Sequence, residues 1–288
     1  MEDFKHYFEK RGYKPRTIRG YTNSLKQFFR WCEDNCINPE VATIEELYDY
    51  QSYTREQGLA VATIRERTII LKHYYRCIKR PENPALLLRA ERQEKKLPKG
   101  MLDEEMLVEL YLGILPKTHI QKRNKCMLGL ILFQGLKRAD LSQLKPEHIN
   151  EDQSRIYVPE TNKTNARYIP LKAIQREDLR HYIYTLRSQL IIEARKESDY
   201  LFFSQGTGKG LNNSLGLMFR ALKKQYPNLG SLQQLRESKI TLWVKEFGIR
   251  KTQYLSGIRY ASSVLRYKAI DNDKLKHKIA LIHPMERM

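Results

Sequence analysis

The sequence lacks any run of about 20 apolar residues, the length that a membrane-spanning helix requires. Its first stretch, MEDFKHYFEKRGYK, begins with acidic residues and has no apolar core, which argues against a secretion signal. We therefore expect a cytoplasmic protein without a membrane partner.

Cysteine is scarce, and the usual metal-binding patterns are missing. The chain has four cysteines, and they form no CxxC pair with partner histidines. Cys32 and Cys36 stand one helical turn apart, so a metal pair is one interpretation, but we favour small buried residues. The seven histidines lack metal-ligand spacing. The sequence has no compact cluster of carboxylates of the kind that holds Mg²⁺. A magnesium site built from scattered carboxylates that folding brings together stays an alternative. We expect a reduced protein with no structural zinc, no metal and no other cofactor.

Motifs of nucleotide-binding proteins and common hydrolases are also missing. GTGKG, at Gly206–Gly210, lacks the GxxxxGK[ST] spacing of a phosphate loop, so it predicts a flexible turn. The sequence contains neither HExxH nor GxSxG.

Acidic residues are few relative to basic ones. The chain has 52 Lys and Arg against 33 Asp and Glu, a formal net charge of +19, and the basic residues run through its whole length. A folded protein with this charge attracts polyanions, and nucleic acid is the leading candidate. A merely soluble basic protein and an anionic membrane surface are the alternatives.

The N-terminal third contains a hidden repeat. TIRGYTNSLKQFF (Thr17–Phe29) aligns with TIRERTIILKHYY (Thr63–Tyr75), and each copy starts with a threonine that we expect to cap a helix. Apolar residues recur at helical spacing in both copies: Ile18, Tyr21, Leu25, Phe28 and Phe29 in the first, and Ile64, Leu71, Tyr74, Tyr75 and Ile78 in the second. Between the copies, Thr43 and Glu46 predict a capping box. Residues 1–90 thus predict a helical domain, followed by a charged linker at residues 91–102.

The remaining chain, residues 103–288, predicts a mainly helical domain around a small sheet. Helices are expected over residues 103–145, and Ser154–Leu171 predicts a β-hairpin because two β-branched and aromatic runs flank a polar turn. A helix is expected over Lys172–Lys196. The stretch DYLFFSQGTGKGLNN predicts a short strand and a glycine-rich loop. Helix then follows to about residue 282, with breaks near residues 227–230 and at Gly248.

A basic chain without metal motifs can still act on a phosphodiester. Metal-free phosphoryl transfer needs a side-chain nucleophile, cations that hold two phosphate oxygens, and an acid for the leaving oxygen. Tyrosine, arginine and lysine meet these needs, and the chain is rich in all three.

Six segments, in order, carry a resemblance to one protein family. The first is the N-terminal repeat with its closing NPA, and the other five are QGLKRADLSQLKPEHI, IYVPETNKTNARYIPL, LFFSQGTGKGLNNSLGLMFRAL, SLQQLRESKITLWVKEFG and YLSGIRYASSVLRY. They resemble the tyrosine recombinases, the family of phage integrases and Xer-type enzymes: the first segment resembles that family's core-binding, SAM-like helical domain, and the other five resemble its catalytic domain. The resemblance implies a mainly α fold, with that helical domain followed by a mixed α+β catalytic domain that carries a small antiparallel sheet.

The resemblance also implies roles for individual residues. Tyr267 falls on the nucleophile, Arg236 on the second arginine, and Lys163 on the hairpin lysine that protonates the leaving 5′ oxygen. Asp140 falls on the acidic residue that supports the first arginine.

Three positions depart from the family pattern. Lys137 stands at the first arginine, Gln233 at the first histidine, and Ile258 at the second histidine or tryptophan. Lysine keeps the charge but loses the bidentate fork, glutamine cannot shuttle a proton, and isoleucine does neither. Since one lost donor costs about 10²–10³ in rate, the three changes together predict a very slow enzyme or none.

Neighbouring residues offer limited compensation. Arg138 and Arg259 each sit one residue from a vacated position, and one residue on a helix is a rotation of about 100°, so neither replaces its neighbour without a shift in register. We interpret Arg138 as a surface or phosphate-backbone residue. Glu237 follows Arg236 and is expected to pair with it, in competition with the substrate phosphate.

Several basic residues are candidates for contact with DNA backbone phosphates, although a solvated surface is an equal alternative for each. They are Lys14, Arg16, Arg19, Arg65, Lys72, Arg138 and Arg259.

The resemblance implies a site-specific DNA recombinase or integrase that cuts and rejoins DNA through a 3′-phosphotyrosyl intermediate. The implied partners are double-stranded DNA clamped between the two domains, further copies of the chain in a tetramer on two DNA sites, and accessory DNA-bending proteins. Residues 267–288 are the candidate exchange segment between copies. The alternatives are a recombinase-like DNA-binding protein that no longer cuts and, third, an RNA-binding helical protein.

Overall fold

A computed structural model describes residues 1–89, 100–195, 197–204 and 211–268. The chain divides into two compact units, Met1–Lys95 and Lys96–Met288. Most of the predicted linker, residues 91–102, lies outside the described residues. Its last part belongs with the second unit, because the Leu102 backbone N–H donates to the Ser238 hydroxyl at 3.0 Å. The exact domain boundaries stay a prediction.

The first unit is a helical bundle with a short 3₁₀ turn at Pro84–Leu86. Its helices are α1 (Glu2–Glu9), α2 (Pro15–Asp34), α3 (Ile44–Glu56) and α4 (Val61–Cys77). Edge-to-face aromatic contacts centre on Phe8, whose ring lies 5.0 Å from Phe4, 4.9 Å from Tyr13 and 5.1 Å from Tyr21. Phe28, Tyr74 and Tyr75 of the repeat belong to the same core, and Tyr21 and Phe29 pack against it.

The capping predictions in this unit had mixed outcomes. The capping box at Thr43 and Glu46 is confirmed, with both reciprocal hydrogen bonds present. The prediction that Thr17 and Thr63 cap helices was wrong, because α2 begins at Pro15 and α4 at Val61. Proline at the first helical position supplies a preset φ and no surplus N–H group, so α2 starts three residues earlier than a Thr17 cap would place it.

The predicted burial is right for most of the repeat and wrong at its margins. Ile18, Leu25 and Phe28 are buried, as are their counterparts in α4, but Ile78 follows the end of α4 and is exposed. Cys32 is buried, whereas Cys36 lies beyond α2 in a left-handed turn and is exposed, which corrects the expectation for that cysteine.

The second unit packs helices around α6 and carries a small sheet. Its helices are α5 (Glu104–Leu112), α6 (His119–Gln134), α7 (Arg138–Leu141), α8 (Ala173–His181), α9 (Arg187–Ala194), α10 (Asn212–Gln225), α11 (Leu232–Ser256) and α12, residues 261–268. A π-helical stretch, Tyr182–Leu186, joins α8 to α9, and Pro146–His148 forms a 3₁₀ turn. Helix α6 is buried on nearly every side from Cys126 to Gln134, and it is the centre of the domain core.

The predicted hairpin is confirmed and gains a third strand. Strands β2 (Arg155–Val158) and β3 (Arg167–Pro170) pair antiparallel with Ile156 opposite Ile169, and β1 (Ile149–Asn150) adds to the far edge of β2. The fold class is therefore as predicted, mainly helical with one small antiparallel sheet.

The predicted strand in DYLFF was wrong. Leu201, Phe202 and Phe203 are all buried, but this segment is irregular, and the Leu201 N–H donates to the Leu144 carbonyl at 2.6 Å. A short, fully buried apolar run has the composition of a buried strand even where its backbone is irregular, so composition alone does not distinguish the two. The GTGKG turn and residues 269–288 lie outside the described residues.

The helix breaks fall where expected. Helix α10 ends before Pro227, and Gly248 interrupts α11 with φ 71° and ψ −176°. Over the described parts of the chain, no helix combines the length and apolar character needed to cross a membrane.

Candidate active site

A buried carboxylate, Asp140, organises the floor of the candidate site. Helix α6 ends at Gly135 in the left-handed region, and the chain turns directly into Lys137 and α7. The Asp140 carboxylate accepts from the Lys137 backbone N–H at 2.9 Å, from the Arg167 guanidinium at 3.0 Å and from the Thr164 hydroxyl at 3.0 Å. It therefore fixes the backbone of the residue at the first-arginine position and ties it to the hairpin.

Arg167 connects the same carboxylate to the end of α11. Its guanidinium is fully buried and donates to the carbonyls of Leu255 at 3.0 Å and Asn165 at 3.1 Å. Gly257 passes over it with φ 66°, and a Cβ there would lie 2.5 Å from Arg167 Nη1. Sequence reasoning did not select Arg167 as a site residue, although the RYIPL segment that carried the resemblance contains it.

A basic pocket of about 420 Å³ lies above this framework. It gathers five of the predicted catalytic residues, Lys137, Lys163, Gln233, Arg236 and Tyr267, with the predicted DNA contact Arg259 and the replaced position Ile258. Asp140 lies beneath the pocket rather than in its lining. The long-range pairing of Thr164 with Ile258 brings the hairpin turn and the segment after α11 together.

Two cations that line the pocket, Arg236 and Lys137, are shielded from water to different degrees. Arg236 is 3% exposed and donates to the Ser256 carbonyl at 3.2 Å, and burial lowers its pKa. Lys137 is half-buried. Burial and then the positive charge of Arg236 lower its pKa to about 8, while Asp140 acts in the opposite direction. Such a lysine holds an anion strongly only while it is protonated.

Tyr267 lies on α12, lines the pocket and is 1% exposed. The Arg266 guanidinium donates to the Tyr267 hydroxyl at 2.5 Å and to Glu237 Oε1 at 2.8 Å. The expectation that Glu237 pairs with Arg236 was therefore wrong. Glu237 extends to Arg266 on α12 and also accepts from the Gln233 amide at 2.8 Å. Sequence reasoning missed Arg266.

Lys163 stands in the exposed hairpin turn, whose shape is held by the Thr161 and Thr164 hydroxyls at 2.7 Å from each other. Arg259 donates to the Thr161 carbonyl at 3.0 Å and so lines the pocket. Residues 257–260 are not helical, so Arg259 is not turned away from the pocket by the rotation of about 100° that separates helical neighbours. Arg138 is exposed on α7 and is not a lining residue, as predicted.

The candidate DNA contacts of the first unit lie on α2 and α4. Lys14, Arg16, Arg19 and Arg65 are exposed. Lys72 is half-buried, and its ammonium donates to the Leu88 carbonyl at 3.2 Å. The Lys72 ammonium is thus bound within the first unit, which favours a structural role for Lys72 over a DNA contact.

The described residues contain no group of three or more His, Cys, Asp or Glu side chains placed to hold a metal ion. What they do bring together is a tyrosine hydroxyl and several lysine and arginine side chains. Fold and pocket together define a two-unit, mainly helical protein with a basic, tyrosine-containing site suited to phosphoryl transfer.

The chain belongs to the phage integrase family, the tyrosine recombinases, which are DNA-cleaving and rejoining enzymes. Residues 101–274 match the phage integrase family, and residues 1–83 match the phage integrase N-terminal SAM-like domain.

Relatives of this family are similar along nearly the whole chain. The chain is 26% identical to tyrosine recombinase XerC of Bacillus pumilus over 95% of its own length and 92% of the relative's. It is 24% identical to tyrosine recombinase XerA of Thermococcus kodakarensis, over 96% and 92% of the two lengths.

Solved structures share the fold at lower identity. XerH site-specific recombinase bound to a palindromic difH substrate has a TM-score of 0.71 at 19% identity, covering 95% of this chain and 82% of that one. A lambda integrase tetramer bound to a Holliday junction has a TM-score of 0.64 at 17% identity, with coverages of 91% and 75%.

Proposed function

We propose that this protein carries out site-specific DNA recombination or integration, with Tyr267 as the nucleophile. The observation that carries the proposal is the pocket itself. Tyr267 lines one pocket together with Lys137, Arg236 and Lys163, and these cations can hold phosphate oxygens and supply a proton during phosphoryl transfer to a tyrosine.

The proposed step exchanges one phosphodiester for another. The Tyr267 oxygen attacks the phosphorus, the bond to the 5′ oxygen breaks, and a 3′-phosphotyrosyl link forms. Arg236 and Lys137 hold the two non-bridging oxygens, where negative charge increases. Lys163, which lines the pocket from an exposed turn, protonates the leaving 5′ oxygen.

The proposed partners follow from the same role. The substrate is double-stranded DNA, reached in the cytoplasm. The exposed basic residues Lys14, Arg16, Arg19 and Arg65 on the first unit, with Arg138 and Arg259 on the second, are its proposed phosphate contacts. A tetramer on two DNA sites is supported by the lambda integrase tetramer with the same fold. Accessory DNA-bending proteins are part of the proposal.

A recombinase-like protein that binds DNA without cutting it is the second candidate. Its support is the set of replacements in the pocket, Lys137, Gln233 and Ile258, together with the nearly complete burial of Tyr267.

One experiment separates the two functions. A duplex that the Tyr267→Phe variant binds is selected from a random-sequence pool and rebuilt with a nick beside the cleavage position, so that a short fragment is lost after attack. The wild-type protein is expected to form a covalent protein–DNA adduct that survives denaturing electrophoresis, and Tyr267→Phe is expected to form none.

Tyr260 supplies the matched control, because it lines the same pocket and is 72% exposed. Tyr260→Phe is expected to keep the adduct. Loss of the adduct in Tyr260→Phe alone would identify Tyr260 as the nucleophile. Duplex binding by the wild-type protein without any adduct would establish the second candidate function.

A further inference from the structure

Arg266 makes a contact with the candidate nucleophile that the family resemblance did not lead us to expect. Its Nη2 donates to the Tyr267 hydroxyl at 2.5 Å, and its guanidinium carbon lies 4.6 Å from the centre of the Tyr267 ring. The guanidinium thus covers the ring and reaches the oxygen that would attack phosphorus.

This contact requires an anchor from another helix. Consecutive side chains on a helix point about 100° apart, so residues 266 and 267 do not face each other by default. Glu237 on α11 supplies the anchor, since its carboxylate accepts from the same Arg266 nitrogen at 2.8 Å. The Glu237 side chain is 13% exposed and that of Arg266 39% exposed, so the ion pair is partly sheltered from solvent.

The Arg266–Glu237 ion pair accompanies the replacement of other hydrogen-bond donors in the site. The resemblance implies two histidines, or a histidine and a tryptophan, at positions now occupied by Gln233 and Ile258. The Gln233 amide donates to Glu237 at 2.8 Å, and isoleucine has no donor. Arg266 therefore brings a permanently charged donor to a site that has lost neutral ones.

We propose that Arg266 is a further catalytic residue, which orients the Tyr267 hydroxyl and stabilises the negative charge on its oxygen during attack, with Glu237 as its positioning residue. The proposal rests on the function proposed above. In the step, the Tyr267 proton passes to solvent water or hydroxide, and the tyrosine oxygen forms its bond to phosphorus. The bonding pair of the broken P–O bond then goes to the 5′ oxygen, which takes a proton from Lys163.

Charge development on the tyrosine oxygen predicts a pH signature. The titratable and charged groups that line the pocket with Tyr267 are Lys137, Lys163, Arg236, Arg259, Tyr260 and Arg266, and Glu237 pairs with Arg266. Arg266 favours loss of the proton from the Tyr267 hydroxyl, and a high hydroxide concentration favours the same loss without it. Removing Arg266 should therefore slow attack most at low pH. The rate deficit should therefore shrink as the pH rises.

The test measures adduct formation on the nicked duplex under single-turnover conditions. Arg266→Ala is expected to slow it about 100-fold near neutral pH, the typical cost of losing one charge-stabilising donor. Arg266→Lys, which keeps a cationic donor, is expected to recover part of that loss, and added methylguanidinium to accelerate Arg266→Ala. Arg220→Ala is the matched control, because Arg220 is exposed on α10 and does not line the pocket.

The outcomes separate this inference from the proposed function. An adduct that depends on Tyr267 establishes the reaction, and an unchanged rate in Arg266→Ala then overturns only the role of Arg266. A faster rate in Arg266→Ala would overturn it as well, since it would make the contact a restraint on Tyr267. An equal deficit at every pH, without rescue by methylguanidinium, would make Arg266 merely structural.

If Arg266→Ala fails to fold, Glu237→Gln carries the test. This variant keeps the arginine and removes the charge of its anchor, so it is expected to slow adduct formation by about 10-fold with the same pH trend. Wild-type rates in both Glu237→Gln and Arg266→Lys would overturn the proposal.

Discussion

Lys137 should give this site a pH limit that an arginine at the same position would not have. Burial and the neighbouring Arg236 lower the pKa of the Lys137 ammonium to about 8. A lysine is charged below its pKa and neutral above it, so Lys137 loses its hold on the phosphate as the pH rises through about 8. An arginine stays protonated throughout this range.

The size of the effect follows from the pKa. Near pH 9, a group with a pKa of about 8 is only about one tenth protonated. The rate constant for adduct formation by wild-type protein, at DNA concentrations below saturation, reports the protonation of the free protein. We expect the ratio of the Lys137→Arg rate to the wild-type rate to rise about 10-fold between about pH 7 and pH 9.

Taking a ratio removes the other pH-dependent steps, because Tyr267 and Lys163 are present in both proteins. Lys224→Arg, an exposed substitution on α10, is the control and should give a flat ratio. A Lys137→Arg ratio that stays within about twofold over the same range would refute the reasoning, since Lys137 would then be charged throughout or would not touch the phosphate.

Two further predictions concern the leaving group and the framework of the site. Lys163→Ala should slow adduct formation by about 100-fold, and a duplex with sulfur in place of the leaving 5′ oxygen should restore the rate because a thiolate leaves without a proton. The same duplex should not restore Lys137→Ala, and equal rescue of both would contradict the division of roles. Gly257→Ala should destabilise the protein more than Gly135→Ala in urea unfolding. Both glycines lie in the left-handed helical region, which costs other residues about 1–2 kcal/mol, but the new Cβ would lie 2.5 Å from Arg167 Nη1 at Gly257 and 3.3 Å from the Trp243 ring at Gly135. Equal losses would show that Arg167 moves aside freely.

Elements with strong local signals were predictable because their causes lie within a few residues. The Thr43 capping box, the helical spacing of Leu25 and Phe28, and the β-hairpin of Ser154–Leu171 are all set by neighbours along the chain. Where local signals were weak or shared, prediction failed. Proline displaced Thr17 from the helix start, and the buried run at Leu201–Phe203 has the composition of a strand without its pairing.

The sequence by itself determined the family, through six ordered segments, and it identified the replacements at Lys137, Gln233 and Ile258. The chemical effect of these replacements depends on groups that are remote in the chain. Folding places Arg167 on Asp140 and lowers the pKa of Lys137 by burial.

Only the tertiary structure decided the partner of Glu237. Sequence proximity favoured Arg236, but Arg236 is buried against the Ser256 carbonyl, and Glu237 instead meets Arg266 on the following helix. A charge pairs with the opposite charge that packing brings within reach. That is why the residue beside Tyr267, which no sequence pattern selected, became visible as part of the site only in three dimensions.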